Sequence, residues 1–434
     1  MSAGKYYIET YGCQMNEADS EVIAGILQKE RYIATDNPEE ADIILVNTCS
    51  VRQGAENRAL ARLSQFKSLK IINPNLRLGL VGCVAQRDRG RIIEKKPFID
   101  LVLGPDTYRR IPELITNKFQ PAIDVKLSKT EVYDKITPFR HSVVNAWVSI
   151  MRGCDKFCSY CIVPFTRGRE RSRSVNSILE EIRQAVGDGF QEMTLLGQNV
   201  NSYCYDGNKF PDLLEKVAQI PGVRRIRFTS PHPADVNLEM LAVMRDFDNI
   251  CKHIHLPLQS GSSRILSRMK RSYTQSDYLK LVDNIRQHLP ACGLTTDIIV
   301  GFPGESDADF DDTLKVMEEV IYDNAYMFKY SPRPGTAAAK LTDDVPETEK
   351  AGRLDRIIAK QKKHTAIRYR ETVGTIQQVL IDGTSKKDSA EKIGRTNSNK
   401  LVILKAGSAE IGEIVDVFIS GTAGVSLFGK IHQT

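Results

Sequence analysis

The feature that most constrains this chain is a run of three cysteines, Cys154, Cys158 and Cys161, in the segment RGCDKFCSYCIVP. Zinc ribbons use paired Cys-x-x-Cys units with four ligands in total, and ferredoxin-type runs supply one cysteine for every iron. Three cysteines without a fourth nearby therefore indicate a 4Fe-4S cluster with one iron left open for a substrate or cofactor. The alternatives are a chance grouping or a zinc site completed by a distant ligand.

Three further cysteines share a context although they are far apart in the chain. Cys13, Cys49 and Cys83 each follow an apolar, strand-like run and precede a helical one, at separations close to one strand–helix unit. Because the carboxyl ends of parallel strands lie at one edge of a sheet, the three cysteines can converge on a ligand there. The alternative is three small buried hydrophobic side chains. The remaining cysteines lack this context and are predicted to be structural: Cys204, Cys251 and Cys292.

Composition sets the broad class of protein. The 434 residues leave room for about three domains, and 41% apolar with 26% charged residues is ordinary globular composition. No apolar run reaches the ~18 residues that span a bilayer and the start lacks a signal core, so we expect a cytoplasmic protein without a membrane partner. Nine cysteines in such a protein favour metal or redox chemistry over disulfides. The net charge of +6 permits a nucleic-acid partner but does not require one.

Strand-like and helical runs alternate along most of the chain, which predicts an α/β fold in three parts. Residues 1–120 indicate a Rossmann-like parallel α/β domain, and residues 121–145, which have no clear periodicity, a linker. Six strand-like runs within 146–370 predict a partial (β/α)6 barrel rather than a complete eight-stranded one. Short β-like runs within 371–434 predict a small all-β barrel. The basic helix predicted at 345–370 fits a solvated face as well as an RNA-facing one.

With these motifs in view, the sequence resembles the methylthiotransferase family of radical S-adenosylmethionine (SAM) enzymes over nearly its whole length. RGCDKFCSYCIVP resembles the radical SAM signature, and the order of a three-cysteine domain, a partial barrel and a TRAM barrel resembles that of the family. The flanks TYGCQMNEADS, NTCSVRQGAENR and HLPLQSGS are most similar to the bacterial branch that modifies dimethylallyladenosine in tRNA. Branches that modify a ribosomal protein or threonylcarbamoyladenosine in tRNA are alternatives, and so is a non-catalytic iron–sulfur RNA-binding protein.

The resemblance implies a transferase that inserts a methylthio group at carbon 2 of N(6)-dimethylallyladenosine next to the anticodon. It implies two 4Fe-4S clusters and two SAM molecules per turnover. One SAM, on the open iron of the cluster held by Cys154, Cys158 and Cys161, supplies the radical that removes the unactivated hydrogen. The other methylates a sulfur held by an auxiliary cluster on the dispersed triplet. The implied partners are the anticodon stem-loop of the prenylated tRNA, an external one-electron donor and a sulfur source, but no DNA.

Further site residues are predicted at the ends of barrel strands and directly after the signature. Glycine and polar residues at the strand ends are expected to contact SAM, and a simple strand-to-helix turn is the alternative for each glycine. These candidates are Gly197, Gln198, Asn199, Gln259, Ser260, Gly301 and Gly304. Four alternating arginines are expected to contact tRNA phosphates, with ordinary surface charge as the alternative. They are Arg167, Arg169, Arg171 and Arg173.

Overall fold

The first part of the chain forms one parallel sheet with helices between its strands. The computed structural model describes residues 4–116, 121–140, 144–385, 388–405 and 409–432. The strands are β1 (Gly4–Tyr11), β2 (Tyr32–Ala34), β3 (Ile43–Thr48), β4 (Arg77–Gly82), β5 (Leu101–Leu103) and β6 (Ala122–Asp124). The helices are α1 (Gln14–Lys29), α2 (Gln53–Gln65), α3 (Leu69–Ile72), α4 (Cys83–Asp88), α5 (Arg91–Lys95) and α6 (Ile111–Thr116). The sheet order is β2-β1-β3-β4-β5-β6, and every neighbouring pair is parallel.

Helices cover both faces of this sheet, as its central strand requires. Every residue of β3 is buried, which is the pattern of a parallel strand without a solvent face. Ile43 and Leu45 pack into the apolar cluster that contains residues of α1. The alternate residues, Ile44 and Val46, pack into a second cluster with residues of α2. The Rossmann-like expectation for the first domain is therefore confirmed.

The stretch 121–145 differs from the linker that its lack of periodicity predicts. Its first residues form β6, which pairs with β5 at the edge of the first sheet. Its last residue, Asn145, opens the next strand of the fold. A three-residue edge strand is too short to show a period of two, so the sequence gives no signal for it. Residues 117–120, at the predicted end of the first domain, and 141–143, within the predicted linker, lie outside the described residues.

The central part alternates strands and helices. Its strands are β7 (Asn145–Ser149), β8 (Met151–Arg152), β9 (Arg171–Ser172), β10 (Glu192–Leu196), β11 (Cys204–Tyr205), β12 (Asn208–Lys209), β13 (Arg225–Phe228), β14 (His253–His255), β15 (Gly293–Val300) and β16 (Asn324–Lys329). Its helices are α7 (Val163–Arg167), α8 (Val175–Gly187), α9 (Phe210–Ala218), α10 (Leu238–Asp246), α11 (Ser263–Arg268), α12 (Gln275–His288), α13 (Asp307–Val320) and α14 (Glu347–Arg370).

Six of these strands form the curved wall that the sequence predicts. β7, β10 and β13 make one parallel ladder, and β14, β15 and β16 make another. A parallel bridge between Ile226 and Ile250 joins the two ladders, and one apolar core fills the space between wall and helices. Within the described ranges no ladder connects the outer strands, β7 and β16. The wall is thus a partial barrel of six strands.

The last part is a closed five-stranded barrel, as predicted. Its strands are β17 (Ile376–Thr384), β18 (Glu391–Thr396), β19 (Leu401–Lys405), β20 (Ile414–Ala423) and β21 (Ser426–Ile431), in the order β17-β18-β19-β21-β20. The segment RTNSNKLVILK, which looks like one β run in the sequence, is divided by a turn into the end of β18 and the whole of β19. Among all the described helices, none combines the length and the apolar character needed to cross a membrane.

The turn between β18 and β19 lies against the amino-terminal end of the partial barrel. Arg225, the first residue of β13, donates hydrogen bonds to the carbonyl oxygens of Arg395 at 2.7 Å and Gln378 at 2.8 Å. Arg227 donates to the carbonyl oxygen of Thr396 at 3.0 Å. In barrels of parallel strands the catalytic edge is the opposite, carboxyl end. The third domain therefore supports the barrel from the end away from the cysteines.

Candidate functional site

The dispersed cysteines converge because their strands end in register. The last paired residues of β1, β3 and β4 are aligned across these neighbouring strands. Cys13 lies two residues beyond the end of β1, and Cys49 and Cys83 lie one residue beyond the ends of β3 and β4. The three thiols therefore share one edge of the sheet, where parallel α/β folds bind ligands.

Two buried asparagines hold this edge together. The Asn16 amide donates to Asn47 Oδ1 at 3.0 Å, and the Asn47 amide donates to the carbonyl oxygen of Asn16 at 2.8 Å. Asn16 Oδ1 lies 3.3 Å from Cys13 Sγ. A Cβ atom on Gly82, which has a φ of +92°, would lie 2.5 Å from Asn47 Oδ1. Glycine at this position therefore allows the end of β4 to approach the end of β3.

The first two thiols of this triplet are close enough to interact. A hydrogen bond with Cys49 lowers the pKa of Cys13 to about 6, although burial opposes the shift. The same hydrogen bond, together with burial and the nearby charge of Cys83, raises the pKa of Cys49. A metal centre binds thiolates rather than thiols, and Cys13 already favours the thiolate form.

The signature cysteines lie on one loop between β8 and α7. The Cys161 amide donates to the carbonyl oxygen of Cys158 at 3.0 Å, and the Cys154 amide donates to that of Gly168 at 3.1 Å. Burial raises the pKa of Cys154 to about 11 and that of Cys161 to about 12, and the neighbouring Cys158 adds to both shifts. The loop thus gathers three reduced thiols in one partly buried place.

Two residues that the sequence analysis did not select shape this loop. Arg271 Nη1 lies 3.5 Å from Cys158 Sγ, which places a fixed positive charge beside the triplet. Gly153 has a φ of +80°, and a Cβ on it would lie 2.0 Å from the carbonyl oxygen of Arg169. Only glycine therefore allows the chain to enter the loop this close to Arg169, on the segment that leaves the loop.

Each cysteine set has the number of thiols that a four-iron cluster with one open iron would need. Among the described residues, no three His, Cys, Asp or Glu side chains form a group that could hold one metal ion. A four-iron cluster spans several atoms, so its thiolates lie farther apart than the ligands of a single ion. Each set offers three thiols of unoxidised cysteine. Three thiols cover three irons and leave the fourth iron for another ligand.

Three of the predicted SAM residues lie beside the signature loop. Gly197 follows β10, and a Cβ on it would lie 2.7 Å from Met151 Cγ. Gln198 Oε1 accepts a hydrogen bond from the Gly153 amide at 2.5 Å, and the Asn199 amide donates to Asp235 at 2.9 Å. The other polar atoms of these two side chains, Gln198 Nε2 and Asn199 Oδ1, are buried without a hydrogen-bond partner in the described chain. Buried polar atoms without partners point to a polar ligand.

The other predicted SAM residues have roles within the protein. Gln259 adopts a φ of +68° and pairs with β15 through Ile298, and Ser260 Oγ accepts from the Ser262 amide at 3.3 Å. A Cβ on Gly301 would meet Lys350 Cγ at 2.3 Å, and one on Gly304 would meet the Arg268 guanidinium at 2.9 Å. A strand-to-helix turn, the alternative given for each glycine, therefore explains Gly301 and Gly304 without a ligand.

The prediction of an RNA-facing arginine row is wrong for three of its four members. Arg167, Arg171 and Arg173 are buried. Their guanidinium groups donate to Asp19 at 2.8 Å, Asp106 at 2.9 Å and Glu181 at 2.6 Å, respectively. Arg169 alone is exposed, and it pairs with Asp155 at 2.7 Å. Alternating spacing placed three side chains on one side of the segment, but that side faces protein.

The buried pairs of Arg167 and Arg171 join the first domain to the central one. Arg152, directly before the signature loop, donates to Asp19 Oδ1 at 2.8 Å and to the carbonyl oxygen of Pro105 at 2.9 Å. Arg167, the last residue of the helix that follows the loop, donates to the other oxygen of Asp19. Both flanks of the loop are therefore tied to α1, the helix that begins beside Cys13. Such a network holds the two cysteine sets at a fixed separation.

An open cavity of about 750 Å³ lies between the two domains near both cysteine sets. One wall comes from α2, α4 and α5, and α4 begins with Cys83. The other wall includes Ile162, next to Cys161, and the half-exposed ring of Phe165. Arg89, Arg91 and Lys95 line the first wall and are exposed. In the part of the chain that the structure describes, no carboxylate forms an ion pair with these three residues.

Comparison with protein families divides the chain in the same order as the structure. Residues 5–104 match the Uncharacterized protein family UPF0004, residues 148–317 the Radical SAM superfamily, and residues 370–432 the TRAM domain. The six-stranded radical SAM wall and the closed TRAM barrel that the sequence predicts are thus confirmed.

Curated relatives resemble the chain over nearly its full length. A tRNA-2-methylthio-N(6)-dimethylallyladenosine synthase of Porphyromonas gingivalis is 49% identical, with 99% of this chain and 95% of the relative covered. Proteins with the same description from Bacteroides thetaiotaomicron and Christiangramia forsetii are 48% and 44% identical, each over 98% of this chain and over 96% and 93% of their own lengths.

Solved structures share the fold at low sequence identity. The radical SAM methyltransferase TsrM of Kitasatospora setae, with tryptophan and a SAM analogue bound, has a TM-score of 0.57 at 13% identity, with 77% of this chain and 75% of that chain covered. The cobalamin-dependent radical SAM enzyme OxsB has a TM-score of 0.55 at 14% identity, over 83% of this chain and 56% of its own.

Proposed function

The chain belongs to the family of tRNA-2-methylthio-N(6)-dimethylallyladenosine synthases, and we propose from this premise how its own residues divide the reaction. It is a radical SAM methylthiotransferase: it inserts a methylthio group into the dimethylallyladenosine of tRNA. The radical SAM family membership implies an iron–sulfur cluster and SAM as cofactors. The observation that carries the proposal is the alignment of Cys13, Cys49 and Cys83 at one edge of the first sheet, beside a cavity whose other wall includes Ile162, the neighbour of Cys161.

The signature triplet holds the cluster that binds SAM, and the dispersed triplet holds a second cluster that carries sulfur. A radical SAM cluster supplies one-electron chemistry, which a reaction at an unactivated aromatic C–H bond needs because no side chain can remove that hydrogen as a proton. Arg271 Nη1 lies 3.5 Å from Cys158 Sγ and places positive charge beside this triplet. Two four-iron clusters would give about eight irons per chain.

SAM lies next to the end of β10. Gln198 and Asn199 each keep one buried polar atom without a protein partner, while the other polar atom of each side chain contacts Gly153 or Asp235. The unpartnered atoms are suited to the amino and carboxylate groups of the methionyl part. Gly197 lets that part approach the backbone. The remaining candidates support the same rim from the fourth and fifth barrel strands through their packing within the protein: Gln259, Ser260, Gly301 and Gly304.

The anticodon stem-loop approaches the interdomain cavity along α4 and α5. Arg89, Arg91 and Lys95 supply unpaired positive charge for phosphates on this side. The exposed ring of Phe165 on the opposite wall offers a stacking surface for a base taken out of its stack. An external one-electron donor and a sulfur source complete the set of proposed partners.

The experiment that tests this division is anaerobic reconstitution followed by mass spectrometry of prenylated tRNA. The wild-type chain is expected to gain about eight irons, to cleave SAM under reduction and to add a methylthio group. Cys158→Ala is expected to abolish SAM cleavage. Cys49→Ala is expected to cleave SAM but to yield no thiolated tRNA, because the sulfur carrier is absent.

Cys251→Ala is the matched control, since Cys251 is a buried cysteine outside both triplets. It is expected to keep iron content and activity. Thiolated tRNA from Cys49→Ala would contradict the role of the dispersed triplet. A methylthio group on a peptide but not on prenylated tRNA would contradict the substrate.

A further inference from the structure

Helix α7 connects the two cysteine sets. It begins at Val163, two residues after Cys161, and packs on α4, whose first residue is Cys83. Its last residue is Arg167, which is only 3% exposed. A fully charged side chain is rarely buried to this degree unless its donors have partners. The partners of Arg167 therefore indicate what it does.

One half of the Arg167 guanidinium has a partner in the protein and the other half has none. Nη2 donates to Asp19 Oδ2 at 2.8 Å. Nη1 is buried and has no hydrogen-bond partner among the described residues. An unpaired donor on a buried guanidinium destabilises the fold, because it has lost its water without gaining an acceptor. A bound group that accepts from Nη1 would remove this cost.

After Asp19, the charges that act most on the Arg167 guanidinium are those of the dispersed cysteines Cys83 and Cys13. Burial by itself would lower the pKa of Arg167, but the charges of Asp19, Cys83 and Cys13 outweigh burial and raise the pKa well above its ordinary value. The charges that act most on Arg152, which shares Asp19 with Arg167, are those of Asp19, Arg167, Tyr133 and Asp106, and its second nitrogen donates to the carbonyl oxygen of Pro105. Arg152 and Arg167 thus belong to one ion-pair network but have different charged groups around them.

We propose that Arg167 is a positioning residue for the sulfur-carrying cluster: Nη1 donates a hydrogen bond to a sulfur atom of the group held by Cys13, Cys49 and Cys83, and the guanidinium charge raises the reduction potential of that group. The assignment rests on the proposed second cluster. Hydrogen bonds to sulfur and local charge are the two means by which a protein sets cluster potentials. A buried charge acts strongly because little water screens it.

The test uses a background in which only the dispersed triplet can bind iron, with Cys154, Cys158 and Cys161 all changed to Ala. After anaerobic reconstitution, iron content is measured and the cluster is titrated with a reductant while its electron paramagnetic resonance signal is followed. Arg167→Gln is expected to keep about four irons and to shift the reduction equilibrium at least tenfold toward the oxidised form, which is ~59 mV for a one-electron couple.

Two further variants separate electrostatics from structure. Arg152→Gln breaks the same interface without facing a cysteine, so it is expected to lower the unfolding temperature and to leave the potential unchanged. Arg167→Lys keeps the charge but lacks the second nitrogen, so it is expected to shift the potential in the same direction by a smaller amount. This variant decides the question if Arg167→Gln does not fold.

An unchanged potential in both Arg167 variants would overturn the proposal. An equal loss of iron from Arg152→Gln and Arg167→Gln would also overturn it, because the loss would then follow from the interface alone. A background protein that binds no iron on the dispersed triplet would refute the second cluster itself, which is a different result from an unchanged potential.

Discussion

At the scale of single residues, Gly153 controls whether the signature loop can form. We expect Gly153→Ala to lose the cluster at Cys154 while keeping the one on the dispersed triplet, so that iron falls from about eight to about four per chain. The cause is twofold: a φ of +80° is strained for alanine by roughly 1–3 kcal/mol, and the added Cβ would lie 2.0 Å from the carbonyl oxygen of Arg169.

Iron analysis and SAM cleavage under reduction check this expectation. Gly187→Ala is the control, since a Cβ at Gly187, in the last turn of α8, would meet no atom within 4 Å. It should retain full iron content. Full iron content in Gly153→Ala would show that the loop tolerates a side chain there.

The six cysteines and the four arginines show what sequence can and cannot predict about a site. Cysteine spacing and strand-end position predict two ligand sets, because metal chemistry restricts the residue type. Alternation predicts that all four arginines share one side of an extended segment, but Arg167 is the last residue of α7 and Arg169 is exposed while the others are buried. Which side faces solvent depends on Asp19, Asp106 and Glu181, and these partners come from other parts of the fold.

At the scale of elements, the exposed basic surface formed by α4, α5 and their connection should bind RNA. We expect the triple variant of Arg89, Arg91 and Lys95 to Ala to bind the anticodon stem-loop more weakly and with a smaller salt dependence. Every phosphate that the variant no longer neutralises should reduce the slope of log affinity against log salt by about 0.7–0.9. Fluorescence anisotropy at several salt concentrations measures both quantities.

The control for this surface is the double variant Arg183→Ala and Lys280→Ala. Both residues are exposed on the outer helices α8 and α12, so the control removes positive charge of the same kind at another place. An equal decrease in affinity per charge removed in both variants would mean that only net charge matters.

Long elements follow from periodicity, and short ones do not. The six barrel strands are flanked by helices with clear apolar spacing, so their number can be read directly. β6 has three residues and follows Pro121, and β18 and β19 are separated by a turn without glycine or proline. In both cases hydrogen bonds to a neighbouring strand stabilise the short strand. A single sequence does not show which strand that neighbour is.

At the scale of the whole molecule, Arg225 couples the third domain to the barrel. We expect Arg225→Ala to destabilise that interface by about 2–4 kcal/mol, because the change removes two hydrogen bonds and a fully buried side chain. The third domain should then unfold before the central one in urea, and hydrogen exchange in β17 and β18 should increase. Arg224→Ala, at the exposed neighbouring residue, should leave a single transition. Identical unfolding curves for the two variants would contradict the coupling.

The shared pairing of Arg152 and Arg167 with Asp19 has a consequence for substrate choice. This buried network ties both flanks of the signature loop to α1. The distance between the two cysteine sets should therefore stay the same when RNA binds. The RNA must then change its conformation. The free energy needed to extrude a base is therefore a cost of deforming the nucleic acid. RNA loops whose bases are already loosely stacked reach the two cysteine sets at a low free-energy cost. The same nucleotides within a duplex do not. The rigidity of the protein thus selects substrates by how easily they deform.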